Sequence, residues 1–154
     1  MLRLSKLTDY AIVILTYMAK NQEGLYSAIE IAKATGVAQP TVSKILKELL
    51  KAKVLISTRG AKGGYRLAKM AEKITVATVI SALEGPIALT ECSVSEHSCE
   101  QVSSCEIGGV WGLINQTVFN ALEAITLADM LVSVNRPAHP HEIKIPISSL
   151  YHRV

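Results

Sequence analysis

The chain has 154 residues, of which 49% are hydrophobic and 19% charged, and its formal net charge is +3. This length allows one domain with a buried core and a helical extension. No apolar run approaches the ~18 residues that cross a bilayer, and the N-terminus lacks the flanks and cleavage site of a signal peptide. We therefore expect a cytoplasmic protein with no membrane partner.

The first predicted element is an apolar helix that is introduced by Thr8 and Asp9 and runs to about Lys20. Its core-facing stripe is Ala11, Ile14, Leu15 and Met18. The other faces are also mostly apolar, so we expect the helix to be covered on several sides. Asp9 has a simple structural explanation, because the helix dipole favours an acid in the first turn by about 0.3 to 1 kcal/mol.

The next stretch predicts two helices joined by a tight turn. Ser27 and Glu30 have the spacing of a capping box, and Gly36 can take the left-handed conformation that ends a helix. A second helix from Thr41 to Lys51, with Pro40 in its first turn, follows at once. Its apolar face comprises Val42, Ile45, Leu46, Leu49 and Leu50. The opposite face is polar and basic, as in a helix-turn-helix that contacts DNA.

Two short strand-like runs at 54–58 and 65–67 flank a turn with three glycines at 59–64. They predict an exposed hairpin, so that the whole unit reads as a winged helix-turn-helix. From Ser27 to Lys69 there are nine Lys or Arg against two acids, a balance of +7. Such a surface suits a polyanion, and double-stranded DNA is the predicted partner. The alternative is an ordinary helix pair with a solvated charged face.

The candidate DNA contacts follow from these positions. Ser43 and Lys44 are the best placed to reach base edges, while Gln39 and Thr41 lie at the helix start, where phosphates approach. The remaining candidates are Ser27, Lys47, Arg59, Lys62 and Arg66, most of them for phosphate contacts. For each lysine the alternative is a solvated side chain. Thr75 then caps another helix, which ends at Gly85-Pro86, and the DNA-binding domain is predicted to span residues 1–89.

Residues 90–106 form a short polar segment, the cysteine loop, with Cys92, Cys99 and Cys105. Three cysteines within 14 residues argue against a disulfide framework, and their spacing is too wide for the paired hooks of a zinc ribbon. Thiolates on such loops hold iron-sulfur clusters. The spacing also allows free thiols, a zinc site completed by His97, or a thiol-disulfide switch.

A long helix is predicted from about Gly109 to Ala124, followed by a short helix that begins at Thr126. Apolar residues recur along the long helix at the three- and four-residue steps of a helix-helix seam, at Trp111, Ile114, Val118, Ala121 and Ile125. A two-fold partner would cover this seam, and a homodimer would suit paired DNA half-sites. The alternative is packing on the chain's own DNA-binding domain. We assign residues 107–134 to dimerisation helices and 135–154 to a proline-broken tail.

At this point the chain resembles the IscR and NsrR type regulators of the Rrf2 family over residues 1 to about 133. The resemblance is carried by Leu7-Thr8-Asp9-Tyr10-Ala11, the helix-turn-helix, Arg59-Gly60-Ala61-Lys62-Gly63-Gly64-Tyr65-Arg66-Leu67, the cysteine loop and the long helix. It looks closest to regulators of iron-sulfur assembly operons. It implies a mainly α fold with a small β-hairpin wing and a long dimerisation helix, and a homodimer with one [2Fe-2S] or [4Fe-4S] cluster per subunit.

The resemblance also implies a ligand set. Cys92, Cys99 and Cys105 match the three family cysteines. IscR-like members use a histidine three residues after the last cysteine, where this chain has Gly108, whereas NsrR-like members use an aspartate of the other subunit's first helix, where this chain has Asp9. Asp9 of the partner subunit is therefore the expected fourth ligand. The other candidates are His97, then Glu91 or Glu106. Lys53 is a smaller departure, since relatives often have glycine there.

The predicted function is a homodimeric transcriptional regulator, a repressor in the usual family pattern, whose cluster senses iron-sulfur status, redox stress or nitric oxide. A zinc- or thiol-based regulator is the second reading. An iron-sulfur electron-transfer subunit is the third, and it predicts no sequence-specific DNA binding and little dependence of function on Lys44 or Arg59. No nucleotide-binding glycine motif and no acid-base pair points to an enzyme.

Overall fold

The computed structural model describes residues 3–60, 62–94, 105 and 107–133. Its helices are α1 (Lys6–Ala19), α2 (Ala28–Thr35), α3 (Gln39–Lys51), α4 (Val76–Glu84), α5 (Gly108–Glu123) and α6 (Leu127–Ser133). Strands β1 (Leu55–Thr58) and β2 (Gly64–Leu67) form an antiparallel hairpin, the wing, and two short 3-10 turns lie at Ala71–Lys73 and Glu91–Ser93. The predicted mainly α fold with a small hairpin is confirmed. None of the helices described is long and apolar enough to span a bilayer.

The hydrophobic core lies between α1, α3, α4 and the base of the wing. The apolar stripe predicted for α1 is buried, and so is that of α3 except for Leu50, which is partly buried, because helical spacing places each stripe on one face. α6 closes the core from the far end of the chain, where Leu127 is only 2% exposed. The largest fully buried side chains are Ile14, Leu15, Met18, Ile31, Ile45, Leu46, Leu49, Leu55, Ile74 and Leu127.

Helix α1 begins earlier than its sequence suggests. The hydroxyl of Ser5 caps it by accepting a hydrogen bond from the Thr8 N–H at 3.2 Å. Thr8, which we expected at the helix start, is instead fully buried, and its hydroxyl donates a hydrogen bond to the Glu84 carboxylate. The apolar run that marks α1 begins only after Thr8. Periodicity therefore could not show that Ser5 caps the helix and that Thr8 is used for packing.

The helix-turn-helix forms as the sequence predicts. Ser27 Oγ accepts from the Glu30 N–H, and the Glu30 carboxylate accepts from the Ser27 N–H at 2.7 Å, which completes the capping box. Gly36 ends α2 with a φ of 73°, a conformation that glycine adopts without a Cβ clash. The chain then turns directly into α3, with Pro40 in the first turn.

Tyr26 widens the wing, because it pairs with β2 as a third segment beside the two-stranded hairpin. Tyr26 and Tyr65 exchange two backbone hydrogen bonds, at 2.8 and 2.9 Å, in an antiparallel bridge. A Cβ on Gly64 would lie 2.7 Å from the Tyr26 carbonyl oxygen, so only glycine allows this approach. The bridge fixes the wing to the segment that leads into α2.

The C-terminal end of α5 is attached to the start of α4. Val76 N–H donates to the Ile125 carbonyl at 2.9 Å, and Leu127 N–H donates to the Ile74 carbonyl at 2.8 Å. The Thr75 hydroxyl also donates to Glu123 at 2.7 Å. Thr75 thus caps α4, as predicted, and holds α5 as well. These bonds join the long helix to the start of α4, and α4 packs on α3 of the helix-turn-helix.

Candidate nucleic-acid interface and metal site

Helix α3 presents a polar face because its apolar face is held in the core. Val42, Ile45 and Leu46 have no exposed surface, so the helix cannot rotate without exposing them. The opposite face carries the predicted contact residues. Gln39, Ser43, Lys44 and Lys47 are exposed, and Thr41 is half-buried. This is the arrangement that a recognition helix needs in order to enter a major groove.

The wing adds cations beside this helix in the chain. Arg59, Lys62 and Arg66 are all exposed. Within the residues that the structure describes, the ion pair that forms is Lys51 with Glu48, at 2.9 Å. The three wing cations are therefore not neutralised by an acid in this part of the chain. Together with the α3 face they form a surface suited to phosphate oxygens.

Ser27 differs from the other DNA candidates. It is half-buried, and both its hydroxyl and its N–H are bonded to Glu30. Hydrogen bonds to the Glu30 carboxylate, from the Ser27 N–H first and from the Ser27 side chain second, hold the pKa of Glu30 below its ordinary value. Capping of α2 is thus the role that the geometry assigns to Ser27, and contact with DNA remains a prediction.

The cysteine loop is described only at its two ends. Cys92 lies in the 3-10 turn Glu91–Ser93, and Cys105 is an exposed free thiol three residues before the start of α5. Cys99, His97 and Glu106 lie outside the described residues. No group of three potential metal ligands occurs in the described part of one chain. The predicted set could not appear there, since it needs Cys99 and Asp9 of the partner subunit.

Asp9, the expected fourth ligand, is exposed in the first turn of α1. It lines an open groove of about 720 Å³ together with Arg3, Lys6, Glu84 and Met130. The carboxylate is therefore accessible to a group from outside the subunit. At the alternative position, Gly108, an added Cβ would meet the Cys105 sulfur at 3.9 Å and no other atom of the described residues within 4 Å.

Two polar side chains of this region had no signal in the sequence. Glu84 bonds to the start of α1, 76 residues away, and Asn115 bonds to the segment before the cysteine loop. Glu84 ends a mostly apolar helix and Asn115 stands beside Gln116 and Thr117, so each is most simply read as a solvated polar residue. Only a polar residue at an inward-facing helical position could have drawn attention to them.

The comparisons with known proteins agree with this geometry. Residues 4–133 match the family model described as Rrf2, iron-dependent transcriptional regulator. The chain is 35% identical over 131 residues to protein aau3 of Rhizobium meliloti, which covers 84% of this chain and 85% of that protein.

Two solved structures share the fold. CymR (YrzC), the global cysteine regulator of B. subtilis, is 29% identical with a TM-score of 0.66, over 86% of this chain and 98% of that one. T. potens IscR is 28% identical with a TM-score of 0.64, over 90% of this chain and 93% of that one. With its exposed helix face and basic wing, this chain belongs to the Rrf2 family of DNA-binding transcriptional regulators.

Proposed function

We propose that this protein is a homodimeric regulator of the IscR and NsrR type, which represses transcription from an operator under the control of an iron-sulfur cluster. The observation that carries the proposal is the position of Cys105. Its free, exposed thiol lies just before the start of α5. The other end of α5 is bonded through Thr75 to the start of α4, which packs on α3. A group bound at the thiol can therefore act on the element that positions the DNA-contacting surface.

DNA binding follows from the exposed face of α3 and from the wing. α3 enters the major groove with Ser43 and Lys44 toward the base edges, and Gln39 and Thr41 approach the backbone. Lys47, Arg59, Lys62 and Arg66 contact phosphates, and Ser27 lies at the edge of this surface. Phosphate contacts position the protein and base contacts select the sequence.

The dimer is supported by the exposed apolar face of α5. Val110 is 57% exposed and Leu113 is 69% exposed, and Trp111 and Ile114 are also on the surface. α5 has no fully buried residue in the single chain. Clustered apolar side chains of this size indicate a protein interface. A second copy, with its own recognition helix, is the partner that paired half-sites require.

The donor set suits an iron-sulfur cluster. Cysteine thiolates are the usual ligands, and carboxylate or imidazole can replace one of them. We assign Cys92, Cys99 and Cys105 as ligands, with Asp9 of the partner subunit as the fourth and His97 as the alternative. When bound, the cluster supplies a centre that oxidants and nitric oxide can destroy. The protein converts its loss into a change of DNA affinity only if the two arrangements of the dimer bind DNA differently.

A thiol-based regulator without a cluster is the second candidate. CymR, the global cysteine regulator of B. subtilis, is as similar in fold as IscR, with TM-scores of 0.66 and 0.64. An exposed free thiol such as Cys105 suits either chemistry. A zinc site completed by His97 belongs to the same class of alternatives.

Anaerobic isolation of the dimer tests these candidates. We expect iron, sulfide and visible charge-transfer absorption, all lost when Cys92, Cys99 or Cys105 is changed to serine. Operator affinity should change on cluster removal and fall steeply with salt. Colourless protein with stoichiometric zinc, or with only reversible thiol oxidation, would favour the second candidate.

Ile114→Glu should yield folded monomers, whereas Gln116→Glu, an exposed position on the same helix, should leave the dimer intact.

A further inference from the structure

Asn115 links α5 to the chain segment that leads into the cysteine loop. Its Oδ1 accepts a hydrogen bond from the Leu89 N–H at 3.0 Å, and its Nδ2 donates one to the Ile87 carbonyl at 3.2 Å. Both bonds are partly buried. The side-chain amide thus satisfies a donor and an acceptor of a segment that forms no helix or strand of its own.

The two residues bonded to Asn115, Ile87 and Leu89, lie five and three residues before Cys92. Leu89 precedes Thr90, whose carbonyl accepts from the Ser93 N–H at 3.0 Å in the 3-10 turn that contains Cys92. The hydroxyls of Thr90 and Ser93 are also 3.0 Å apart. Hydrogen bonds therefore hold the chain from Ile87, at the Asn115 contact, to Ser93, at the end of the turn that contains Cys92.

The other end of the cysteine loop continues into the same helix. Cys105 comes three residues before Gly108, the first residue of α5, and Asn115 is seven residues further along that helix. One rigid element therefore carries the end of the loop and holds its beginning. This arrangement ties the first and third cysteines to a common reference.

We propose that Asn115 is a positioning residue that sets the separation of Cys92 and Cys105 by clamping the start of the cysteine loop to α5. This inference rests on the proposed cluster, for which these cysteines are ligands. A clamp lowers the conformational entropy that the loop loses when its thiolates converge. Residues behind the ligands commonly support metal sites in this way, through hydrogen bonds that fix the ligand-bearing backbone.

A cluster-independent test uses the metal-free, reduced protein. In a Cys99→Ser background, the rate of cross-linking of Cys92 to Cys105 within one chain by a short bis-maleimide reports their proximity. Asn115→Ala removes both hydrogen bonds and should lower this rate by at least about five-fold, the effect of losing a single ordinary hydrogen bond. Labelling by a mono-maleimide corrects for thiol reactivity. The matched control is Asn120→Ala, because Asn120 is exposed on the same helix and, among the described residues, its side chain bonds to Gln116 alone, at 2.8 Å.

The second readout is the lifetime of the reconstituted cluster in a ferrous chelator, measured by visible absorption with all three cysteines present. Asn115→Ala should shorten it by about five-fold or more, and Asn120→Ala should not change it. Both variants should retain the circular dichroism and the metal-free DNA affinity of the wild type. If Asn115→Ala fails to fold, Asn115→Asp, which keeps an acceptor for Leu89, should show both effects.

The outcomes separate this inference from the proposed function. An unchanged cross-linking rate in Asn115→Ala overturns the clamp, and so does slower cross-linking with an unchanged cluster lifetime. A wild-type protein that never holds iron overturns the cluster instead. In that case the cross-linking rate still decides whether Asn115 positions the two thiols.

Discussion

Glu84, the last residue of α4, accepts a hydrogen bond from the hydroxyl of Thr8, which is fully buried in the first turn of α1. Its carboxylate also accepts from the Ser5 N–H, at 2.9 Å. One side chain thus joins the end of α4 to the start of α1, where the donor groups of a helix lack partners. Asp9 follows Thr8 directly, so this contact also fixes the turn that carries the expected fourth ligand.

Glu84→Ala should lower the free energy of unfolding by about 1 to 2 kcal/mol at neutral pH, because it leaves the buried Thr8 hydroxyl and an N-terminal amide without this acceptor. Urea unfolding followed by circular dichroism measures the change. Glu72→Ala, at an exposed position outside the regular helices, should have little effect. Equal losses in the two variants would show that the contact does not stabilise the protein.

The same contact should make stability depend on pH. Hydrogen bonds from Thr8 first and Ser5 second hold the pKa of Glu84 below its ordinary value in the folded protein. A carboxylate with a lowered folded-state pKa stabilises the protein above its unfolded-state pKa and loses that effect as the pH falls through the folded-state pKa. The difference between wild type and Glu84→Ala should therefore shrink below about pH 4. A difference that is constant from neutral to acid pH would contradict this assignment.

The fold was largely predictable because it depends on periodicity and on capping residues close in sequence. The buried stripe of α3 and the capping box of Ser27 and Glu30 are both local patterns. Glu84 and Asn115 were missed because their partners are 76 and 26 residues away. No local pattern encodes such pairs. The cysteine site stays a prediction from residue type and spacing, and its proposed fourth ligand would come from a second subunit, which one sequence cannot place.

Gly64→Ala tests the attachment of the wing. The new Cβ would lie 2.7 Å from the Tyr26 carbonyl oxygen and 2.9 Å from its carbonyl carbon, and backbone atoms cannot rotate away. The bridge to Tyr65 should break, at a cost of about 2 to 3 kcal/mol in the free energy of unfolding. DNA affinity should fall with it, since the wing then loses its fixed position.

Urea unfolding and a DNA titration measure the two effects of Gly64→Ala. Gly112→Ala is the matched control, because no described residue lies within 4 Å of a Cβ there and alanine favours a helix over glycine by about 1 kcal/mol. It should be at least as stable as the wild type. A stable Gly64→Ala with normal DNA affinity would mean that the close approach to Tyr26 is dispensable.

Lys53→Gly should stabilise the protein. Lys53 has a φ of 58°, and its N–H bonds to the Leu50 carbonyl while the Val54 N–H bonds to the Leu49 carbonyl, each at 3.0 Å. This is a Schellman ending of α3, whose left-handed position favours glycine. Relief of the Cβ strain should outweigh the added freedom of the unfolded chain by about 0.5 to 1 kcal/mol.

Thermal unfolding compares Lys53→Gly with Ala52→Gly. Ala52 has a φ of −77°, which alanine adopts without strain, so glycine there should lower stability slightly through backbone entropy. The two neighbouring substitutions should therefore act in opposite directions. If both lower the melting temperature, the left-handed backbone at Lys53 is not strained.

Gly108→His tests which fourth ligand the proposed cluster uses. Among the described residues, a Cβ at Gly108 contacts the Cys105 sulfur at 3.9 Å, an ordinary van der Waals distance, so a histidine side chain there would begin beside the third cysteine. It would supply the histidine that IscR-type regulators have at this position. We expect Asp9→Ala to shorten the cluster lifetime in a ferrous chelator by at least about ten-fold, the effect expected for a supporting contact and a lower bound for a ligand. Addition of Gly108→His should restore it.

The control for the restored lifetime is Gly109→His, one position along the helix and turned about 100° away from the Cys105 sulfur. No described residue lies within 4 Å of a Cβ at Gly109, so we expect this histidine to be tolerated but directed elsewhere. Asp9→Ala with Gly109→His should lose the cluster as fast as Asp9→Ala alone. If Asp9→Ala by itself kept the wild-type lifetime, Asp9 would not be a ligand, and His97→Ala would be the variant to compare next. If both histidines restored the lifetime equally, the effect would come from added basicity at the start of α5 and not from ligation beside Cys105.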